Sequence, residues 1–200
     1  MASVLLPHCP LNSYEGFMDI VNLHPKDETA IQQAAELLVL GFREHWPDSW
    51  TTVEEAWDEV CCMLSSERIC RIAIDDDGTV LGWIGAIPGY EGKAWELHPL
   101  VVHPDHQGQG IGRALVLDLE ARVRERGGLT LHLGSDDVDN MTTLANTDLY
   151  TNLWEKIRDI RNLKGHPYEF YQKLGYSIIG VMPDANGRGK PDIFMAKRIG

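Results

Sequence analysis

The chain has 200 residues, of which 44% are hydrophobic and 24% are charged, a composition typical of one globular domain. No apolar run approaches the roughly 20 residues that cross a bilayer, and the first residues lack the basic region of a signal peptide, so we expect a cytoplasmic protein without a membrane contact. The net charge of −12 excludes a nucleic-acid partner, because such a partner requires a basic surface. The four cysteines show no C-x-x-C spacing, which predicts free thiols.

The first elements of the chain are predicted from hydrophobic periodicity. Residues 1–16 lack periodicity and form a tail, and the alternation in residues 17–23 predicts a first strand. Pro25 and the acids after it mark the start of an amphipathic helix, and residues 52–64 predict a second helix with an acidic outer face.

The negative charge is concentrated in this first part of the chain. Residues 1–77 hold 15 acidic and 4 basic side chains, whereas residues 78–200 hold 15 and 14. Two interpretations remain open at this point: a solvated helical face that keeps the protein soluble, or a field that attracts a polycation.

The middle of the chain predicts a hairpin, a strand and a helix. Residues 69–75 and 79–88 are β-rich and are joined by Asp76-Asp77-Gly78, whose Asp-Gly pair favours a tight turn. A strand is expected over residues 94–102. A helix follows over residues 110–126, and Gly127-Gly128 ends it.

The last third of the chain alternates strands and short helices. A strand over residues 129–134 is followed by an acidic loop over residues 135–140. A helix over residues 149–160 and a short helix over residues 168–174 come next, and two strands over residues 176–181 and 192–198 end the chain.

The most informative motif is the glycine-rich segment from Gln107 to Arg113, between a strand and a helix. Glycine at such a turn lets backbone N–H groups approach an anion, and the helix N-terminus adds its positive dipole end, so a phosphate or pyrophosphate is expected here. The segment is not a Walker loop, because Gly112 is followed by Arg113 and Ala114 instead of Lys and Ser or Thr. It is also a poor dinucleotide fingerprint, because Arg113 stands where a small residue is required.

The strand before this loop carries two side chains suited to proton transfer. Glu96 and His98 are two positions apart and therefore point to the same face. Pro99 has no N–H for a strand ladder, so we expect the pairing there to be bulged or splayed, which leaves backbone groups free for a ligand.

The segment from Val102 to Gly112 resembles the acetyl-CoA loop of the GNAT superfamily of N-acetyltransferases. More narrowly, four segments look like those of the aminoglycoside 6'-N-acetyltransferases: WELHPLVV (95–102), LGSDD (133–137), HPYEFYQKLGY (166–176) and PDANGRGKPDIFMAKRI (183–199). The similarity extends from about Ile69 to the C-terminus, and residues 1–16 have no counterpart.

This resemblance implies a mixed α/β (α+β) GNAT fold in a single domain over residues 17–200, with helices flanking a mostly antiparallel sheet that splays beside its fourth strand. Acetyl-CoA is the implied cosubstrate, and loop amides hold its pyrophosphate. The implied donor-binding residues are Leu100, Val101, Val102, Gln107, Gly108, Gln109, Gly110, Ile111, Gly112, Arg113 and Tyr171.

The chemistry requires that an ammonium loses a proton before it attacks a thioester. Glu96, directly or through a water, is the predicted base, and His98 is the second candidate because its ordinary pKa of about 6.5 also suits the role. The resemblance assigns the backbone N–H of Leu100 to the thioester oxygen and Tyr171 to protonation of the departing thiolate, with Tyr168 as the alternative tyrosine.

The resemblance also gives the acidic segment a place, at the border of a groove for a cationic acceptor. The predicted acceptor contacts are Trp46, Glu96, Asp136, Asp137 and Asp139, with Trp50 as a second stacking side chain. His103 and His106 lack carboxylate or cysteine partners, so no metal is expected. A homodimer is implied by the resemblance alone.

The motifs and the resemblance leave three functions open. The first is an aminoglycoside 6'-N-acetyltransferase that gives antibiotic resistance. The second is an acetyltransferase for basic peptides, protein lysines or polyamines. The third is a CoA-binding module without catalysis, which the joint presence of Glu96 and Tyr171 disfavours.

Overall fold

The computed structural model describes residues 18–200. The tail prediction for residues 1–16, the first residue of the predicted first strand and Cys9 lie outside these residues. In chain order the elements are β1 (Met18–Asn22), α1 (Glu28–Phe42), α2 (Val53–Met63), β2 (Ile69–Asp75), β3 (Val80–Gly89), β4 (Ala94–Val102), α3 (Ile111–Glu125), β5 (Thr130–Asp136), α4 (Leu153–Arg158), α5 (Tyr168–Lys173), β6 (Ser177–Met182) and β7 (Asp192–Arg198).

The strands form one seven-stranded sheet in the order β1-β2-β3-β4-β5-β7-β6. The pair β4–β5 is parallel and the others are antiparallel. The parallel pairing covers three residues of each strand and ends where Glu96 stands opposite His132. Beyond this point β4 and β5 diverge, which confirms the expected mixed sheet with a splay beside the fourth strand.

Helices cover both faces of the sheet and create two apolar cores. One core joins α1 and α2 to sheet residues that include Ile72, Trp83 and Val101. The other core joins α3 and α5 to the opposite face, with Ile84, Leu131 and other strand residues. Trp83 and Ile84 are adjacent and fully buried, one in each core, as the alternation of a strand requires.

Two glycines allow α1 and β3 to approach β4 closely. A Cβ atom on Gly41, near the end of α1, would collide with the Val101 side chain of β4. A Cβ atom on Gly85 of β3 would lie 2.5 Å from the His98 carbonyl oxygen. Glycine at position 85 lets the backbones of β3 and β4 approach closely, and glycine at position 41 leaves room for the Val101 side chain against α1.

The pairing of β3 with β4 contains the irregularity expected at Pro99. Ile84 stands opposite Leu100 and Ala86 opposite Leu97, so His98 and Pro99 share the single partner Gly85. This two-to-one arrangement is a β-bulge, which forms here because proline cannot donate to the ladder.

Most predicted boundaries agree with the structure, and two differ. Strand β5 continues through Ser135 and Asp136, predicted as loop, because both pair with the start of β7. Helix α4 covers only six residues and begins at Leu153. Asn152, the residue before it, adopts a left-handed conformation with φ of 49°, so the helix does not extend further toward the N-terminus.

The structure also bears on the predictions about membrane-spanning helices and cysteines. Within residues 18–200, no helix has both the length and the apolar character needed to cross a membrane. Cys61, Cys62 and Cys70 are free thiols, as the cysteine spacing predicts.

Candidate active site

A cavity of about 970 Å³ opens where β4 and β5 separate. Its walls are the end of α1 and the segment after it, the bulged half of β4, the glycine-rich loop, the end of β5 and the start of α5. The residues that line the cavity include Phe42, His45, Trp46, Trp50, His98, Leu100, Val102, Gln107, Gly108, Gly110, Arg113, Asp136, Phe170 and Tyr171.

The glycine-rich loop presents backbone donors to this cavity. Gly108 and Gly110 have φ of 73° and 94°, values that favour glycine, and Gly110 is the N-cap of α3. No side chain within residues 18–200 caps this helix, so its first N–H groups are available to an anion. Most of the predicted donor-binding residues line the cavity; Gln109 instead donates to the Asp105 carbonyl at 3.1 Å.

The backbone of β4 is oriented for a ligand in the splay. The His103 N–H donates to the Leu81 carbonyl oxygen of β3 at 2.8 Å. Because successive backbone groups of a strand point to opposite edges, the N–H groups of Leu100 and Val102 point away from β3 and into the splay. The Val102 carbonyl accepts from the Gln107 side chain at 3.2 Å, on this same outer edge. The N–H of Leu100 is thus directed into the splay, where no strand pairs with it among residues 18–200.

Tyr171 reaches the cavity from α5 and is only 8% exposed. Burial raises the pKa of its hydroxyl, so the side chain keeps its proton throughout the neutral range. Its ring packs against Phe170 and Tyr176 with centroid distances of 5.0 and 5.7 Å. Tyr168, the alternative tyrosine, is also buried but does not line the cavity.

His166 connects α5 to β5 and was not predicted from the sequence. It accepts from the Tyr168 N–H at 3.1 Å through Nδ1, and its Nε2 lies 3.1 Å from the Asp136 carbonyl. Burial lowers the pKa of this imidazole, although Asp137 and Asp136 oppose the effect. A neutral ring with its proton on Nε2 satisfies both contacts and fixes the helix that carries Tyr171.

Glu96 and His98, the two candidate bases, differ in placement. His98 lines the cavity, whereas Glu96 is exposed and does not line it. Glu96 lies at the last residue of the parallel pairing and close enough to Asp192 to help raise the pKa of that carboxyl to about 6. Burial is the main cause of this shift, and Asp136 is the second. Asp192 was not identified in the sequence.

Aromatic side chains dominate the wall formed by the end of α1 and the segment after it. Trp46 and Trp50 both line the cavity and pack on Phe42 with centroid distances of 5.4 and 4.8 Å. The sequence expectation placed the acidic first part of the chain at the acceptor groove, but this wall contributes aromatic and histidine side chains. Asp136 is the one carboxylate among the described residues that line the cavity.

The three predicted loop aspartates have three different environments. Asp136 lies at the cavity wall and accepts from the Asn186 side chain. Asp139 is half-exposed and pairs with Nδ1 of His45 at 2.8 Å, a contact that joins the loop to the segment after α1. Asp137 is fully buried, and it accepts from the backbone of Met141 and from the backbone and hydroxyl of Thr142 at 2.6–2.9 Å. The expected substrate contact of Asp137 is therefore corrected: its carboxylate is used to fold the loop.

Together, the splayed strand and the uncapped helix N-terminus suit a ligand that combines an extended chain with phosphate groups, which is the architecture of an acyltransferase that uses a phosphate-containing acyl carrier. A sequence profile of the Acetyltransferase (GNAT) family matches residues 31–150. The chain belongs to this family of acetyltransferases. The comparison with curated proteins finds no match.

Solved structures extend the comparison over nearly the whole chain. An aminoglycoside 6'-N-acetyltransferase complexed with coenzyme A is 46% identical, with a TM-score of 0.84, over 91% of this chain and 97% of that one. The aminoglycoside 6'-N-acetyltransferase from Enterococcus faecium is also 46% identical, with a TM-score of 0.82 and the same coverage. An aminoglycoside 6'-acetyltransferase type Ii is 40% identical, with a TM-score of 0.69 and again the same coverage.

Proposed function

We propose that the protein transfers the acetyl group of acetyl-CoA to the 6'-amino group of an aminoglycoside, and that this reaction gives resistance to the drug. The observation that carries the proposal is one continuous cavity, which joins the anion-binding loop at Gly110 to the aromatic and acidic wall at Trp46 and Asp136. The identity of 40–46% to three enzymes named for this activity supports the same acceptor.

The donor half of the cavity suits acetyl-CoA, which supplies an acetyl thioester. The N–H groups at the start of α3 would hold the pyrophosphate, and Arg113 would add a positive charge beside it. The outward backbone edge of β4 would pair with the amide-rich pantetheine arm, as another strand would. The N–H of Leu100 would bind the thioester oxygen and stabilise the negative charge that develops there.

The acceptor half suits a cationic sugar. Trp46 and Trp50 offer flat apolar surfaces for sugar rings, and Asp136 offers a charge-assisted hydrogen bond to an ammonium group. Asp139 reinforces this wall indirectly, because it holds His45 at the cavity edge.

Proton transfer completes the reaction. The acceptor ammonium gives one proton to a base, and its nitrogen attacks the thioester carbon to form the C–N bond. The C–S bond then breaks as Tyr171 donates its proton to the departing thiolate sulfur, and the nitrogen releases its second proton, which restores the tyrosine hydroxyl. His98 is the better placed base because it lines the cavity. Glu96 does not line the cavity and, as the alternative base, would need a water to reach the ammonium. The proposed reaction assigns no step to a metal.

Release of free thiol from acetyl-CoA tests this proposal. Three acceptor groups are compared: kanamycin-type drugs with a 6'-amino group, drugs with a 6'-hydroxyl, and basic peptides or polyamines. We expect turnover only with the first group. Turnover confined to peptides or polyamines would replace the acceptor, and tight CoA binding without turnover would leave a binding module.

Two further properties belong to the proposal. A homodimer in the cytoplasm is expected on the basis of the family resemblance. Light scattering coupled to size-exclusion chromatography measures the oligomeric state, and a monomer at micromolar concentration would contradict the dimer.

A further inference from the structure

Glu59 differs from the other acids of α2. Glu54, Glu55 and Asp58 are exposed and form the solvated face of the helix. Glu59 turns inward instead: its side chain is 26% exposed, and Oε1 lies 3.6 Å from Nε2 of His98 on β4. Among these acids, Glu59 thus makes a direct contact with a proposed catalytic side chain.

The surroundings of Glu59 favour its ionised form. His98 is the main cause that lowers the pKa of this carboxyl; burial opposes it, and Arg68 and Trp50 add to it. Glu59 is consequently a carboxylate at neutral pH. The Trp50 ring lies 6.0 Å from the imidazole of His98, so the imidazole has an indole and a carboxylate as neighbours.

We propose that Glu59 is a positioning residue for His98. A carboxylate only accepts hydrogen bonds, so its place beside Nε2 selects the tautomer with the proton on Nε2. Nδ1 then keeps its lone pair and can take a proton from the acceptor ammonium. The inference rests on the proposed function, in which His98 serves as the base.

The proton balance of this step is simple. One N–H proton of the ammonium moves to Nδ1, which leaves a neutral amine and an imidazolium. The Glu59 carboxylate balances the new positive charge. The distance of 3.6 Å is longer than the roughly 2.7–2.9 Å of a charge-assisted hydrogen bond, and the contact becomes an ion pair only when the imidazole is protonated.

Other charged groups also face this pair and enter any pH dependence. Arg68, in the connection after α2, acts on Glu59. Glu96 lies on the same strand as His98, two positions earlier. Asp58 is adjacent to Glu59 in the chain but exposed, which makes it the matched control for loss of one negative charge from the same helix.

Kinetics provide the first test. Glu59→Gln should lower kcat about 10- to 100-fold without changing the KM of acetyl-CoA, and the acidic limb of the pH profile should move to lower pH. The expected loss is smaller than the roughly 10⁴-fold seen when the aspartate of a Ser-His-Asp triad is replaced, because the pair here is partly exposed. Asp58→Asn should stay within about twofold of wild type, and Glu59→Asp should recover part of the loss. An equal effect of Glu59→Gln and Asp58→Asn would overturn the proposal.

A double mutant separates positioning from a purely structural role. In a His98→Gln background, Glu59→Gln should have no further effect on kcat, because the two residues act as one unit. A full additional loss would overturn the proposal.

A spectroscopic test does not depend on the acceptor. Nitrogen-15 NMR of the imidazole should show the proton of His98 on Nε2 in the wild type and a mixture of tautomers in Glu59→Gln. A proton on Nδ1 in the wild type would overturn the inference even if the enzyme acetylates aminoglycosides. Conversely, the wild type could carry the proton on Nε2 and yet acetylate no aminoglycoside. This result would overturn the proposed function and the role of His98 as the base, and the contact between Glu59 and His98 would then be structural.

Discussion

Asp136 and Asp137 are adjacent acids, but Asp136 lines the cavity and Asp137 is buried in the loop. Replacing each with alanine therefore tests whether Asp137 stabilises the fold and Asp136 binds the acceptor. Asp137 is fully buried and accepts three hydrogen bonds at 2.6, 2.9 and 2.7 Å. Asp137→Ala leaves two backbone N–H groups and a hydroxyl without this acceptor. A hydrogen bond to a charged group contributes about 1.5–3 kcal/mol, and three that share one carboxylate are not additive, so we expect a loss of about 3–5 kcal/mol.

Thermal unfolding measures this loss. A change of 1 kcal/mol shifts Tm by about 2–4 °C in a chain of this size, so Asp137→Ala should lower Tm by roughly 6–20 °C. Asp136→Ala is the matched control. Its side chain is only partly buried, so Tm should change by no more than a few degrees while the KM of the aminoglycoside rises. An unchanged Tm together with a raised KM for Asp137→Ala would return this carboxylate to the substrate site and refute the structural role.

Three other substitutions probe the proposed proton donor, the proposed acetyl-CoA loop and the carboxyl group of Asp192. Tyr171→Phe should lower kcat about 100-fold with little change in CoA affinity measured by calorimetry, and unchanged turnover would remove Tyr171 from the mechanism. Gly110→Ala places a side chain at φ of 94° in the loop and should raise the KM of acetyl-CoA. Gly78→Ala is its control: at φ of 80° in the β2–β3 turn, it should lower the free energy of unfolding by a similar amount, about 1–2 kcal/mol, without changing KM. Equal effects of the two variants on KM would contradict the assignment of the loop to acetyl-CoA. Burial raises the pKa of Asp192 to about 6, while the unfolded chain loses this proton near pH 4, so folding stability falls as pH rises from about 4 to 6. Asp192→Asn should therefore raise Tm at pH 7.5 and have less effect at pH 4.5, and the reverse order would contradict the assignment.

The elements around the donor site could be predicted from the sequence because their signals are local. The glycines from Gly108 to Gly112 mark the turn, the helix after them is amphipathic, and Pro99 alone predicts the bulge of β4. A missing N–H and a positive φ are properties of single residues, so they are visible without knowledge of the fold.

The acceptor side could not be predicted as well, because it depends on contacts between distant segments. His45 and Asp139 are 94 positions apart, and the sequence contains no pattern that pairs them. The same holds for Glu59 with His98 and for Asp136 with Asp192. Sequence charge placed the acids of α2 at the groove, but the direction of each side chain depends on how the helix packs, and the packing turns only Glu59 toward His98.

Asp137 shows why residue type alone is insufficient for assigning a role. Next to Asp136 in an acidic segment, it looks like a second ammonium ligand. The turn from Asp137 to Thr142 folds back on itself, however, and its backbone N–H groups need a buried acceptor. The loop geometry thus decides which of two adjacent carboxylates faces the cavity.

The position of the acetyl group on the product shows which nitrogen of the drug the enzyme acetylates. The wild-type protein is incubated with acetyl-CoA and an aminoglycoside that carries amino groups at 6' and at other positions, and the product is mapped by two-dimensional NMR. We expect a single acetyl group on the 6'-nitrogen. An acetyl group on another nitrogen, or an unmodified drug, would refute the proposed 6'-N-acetylation.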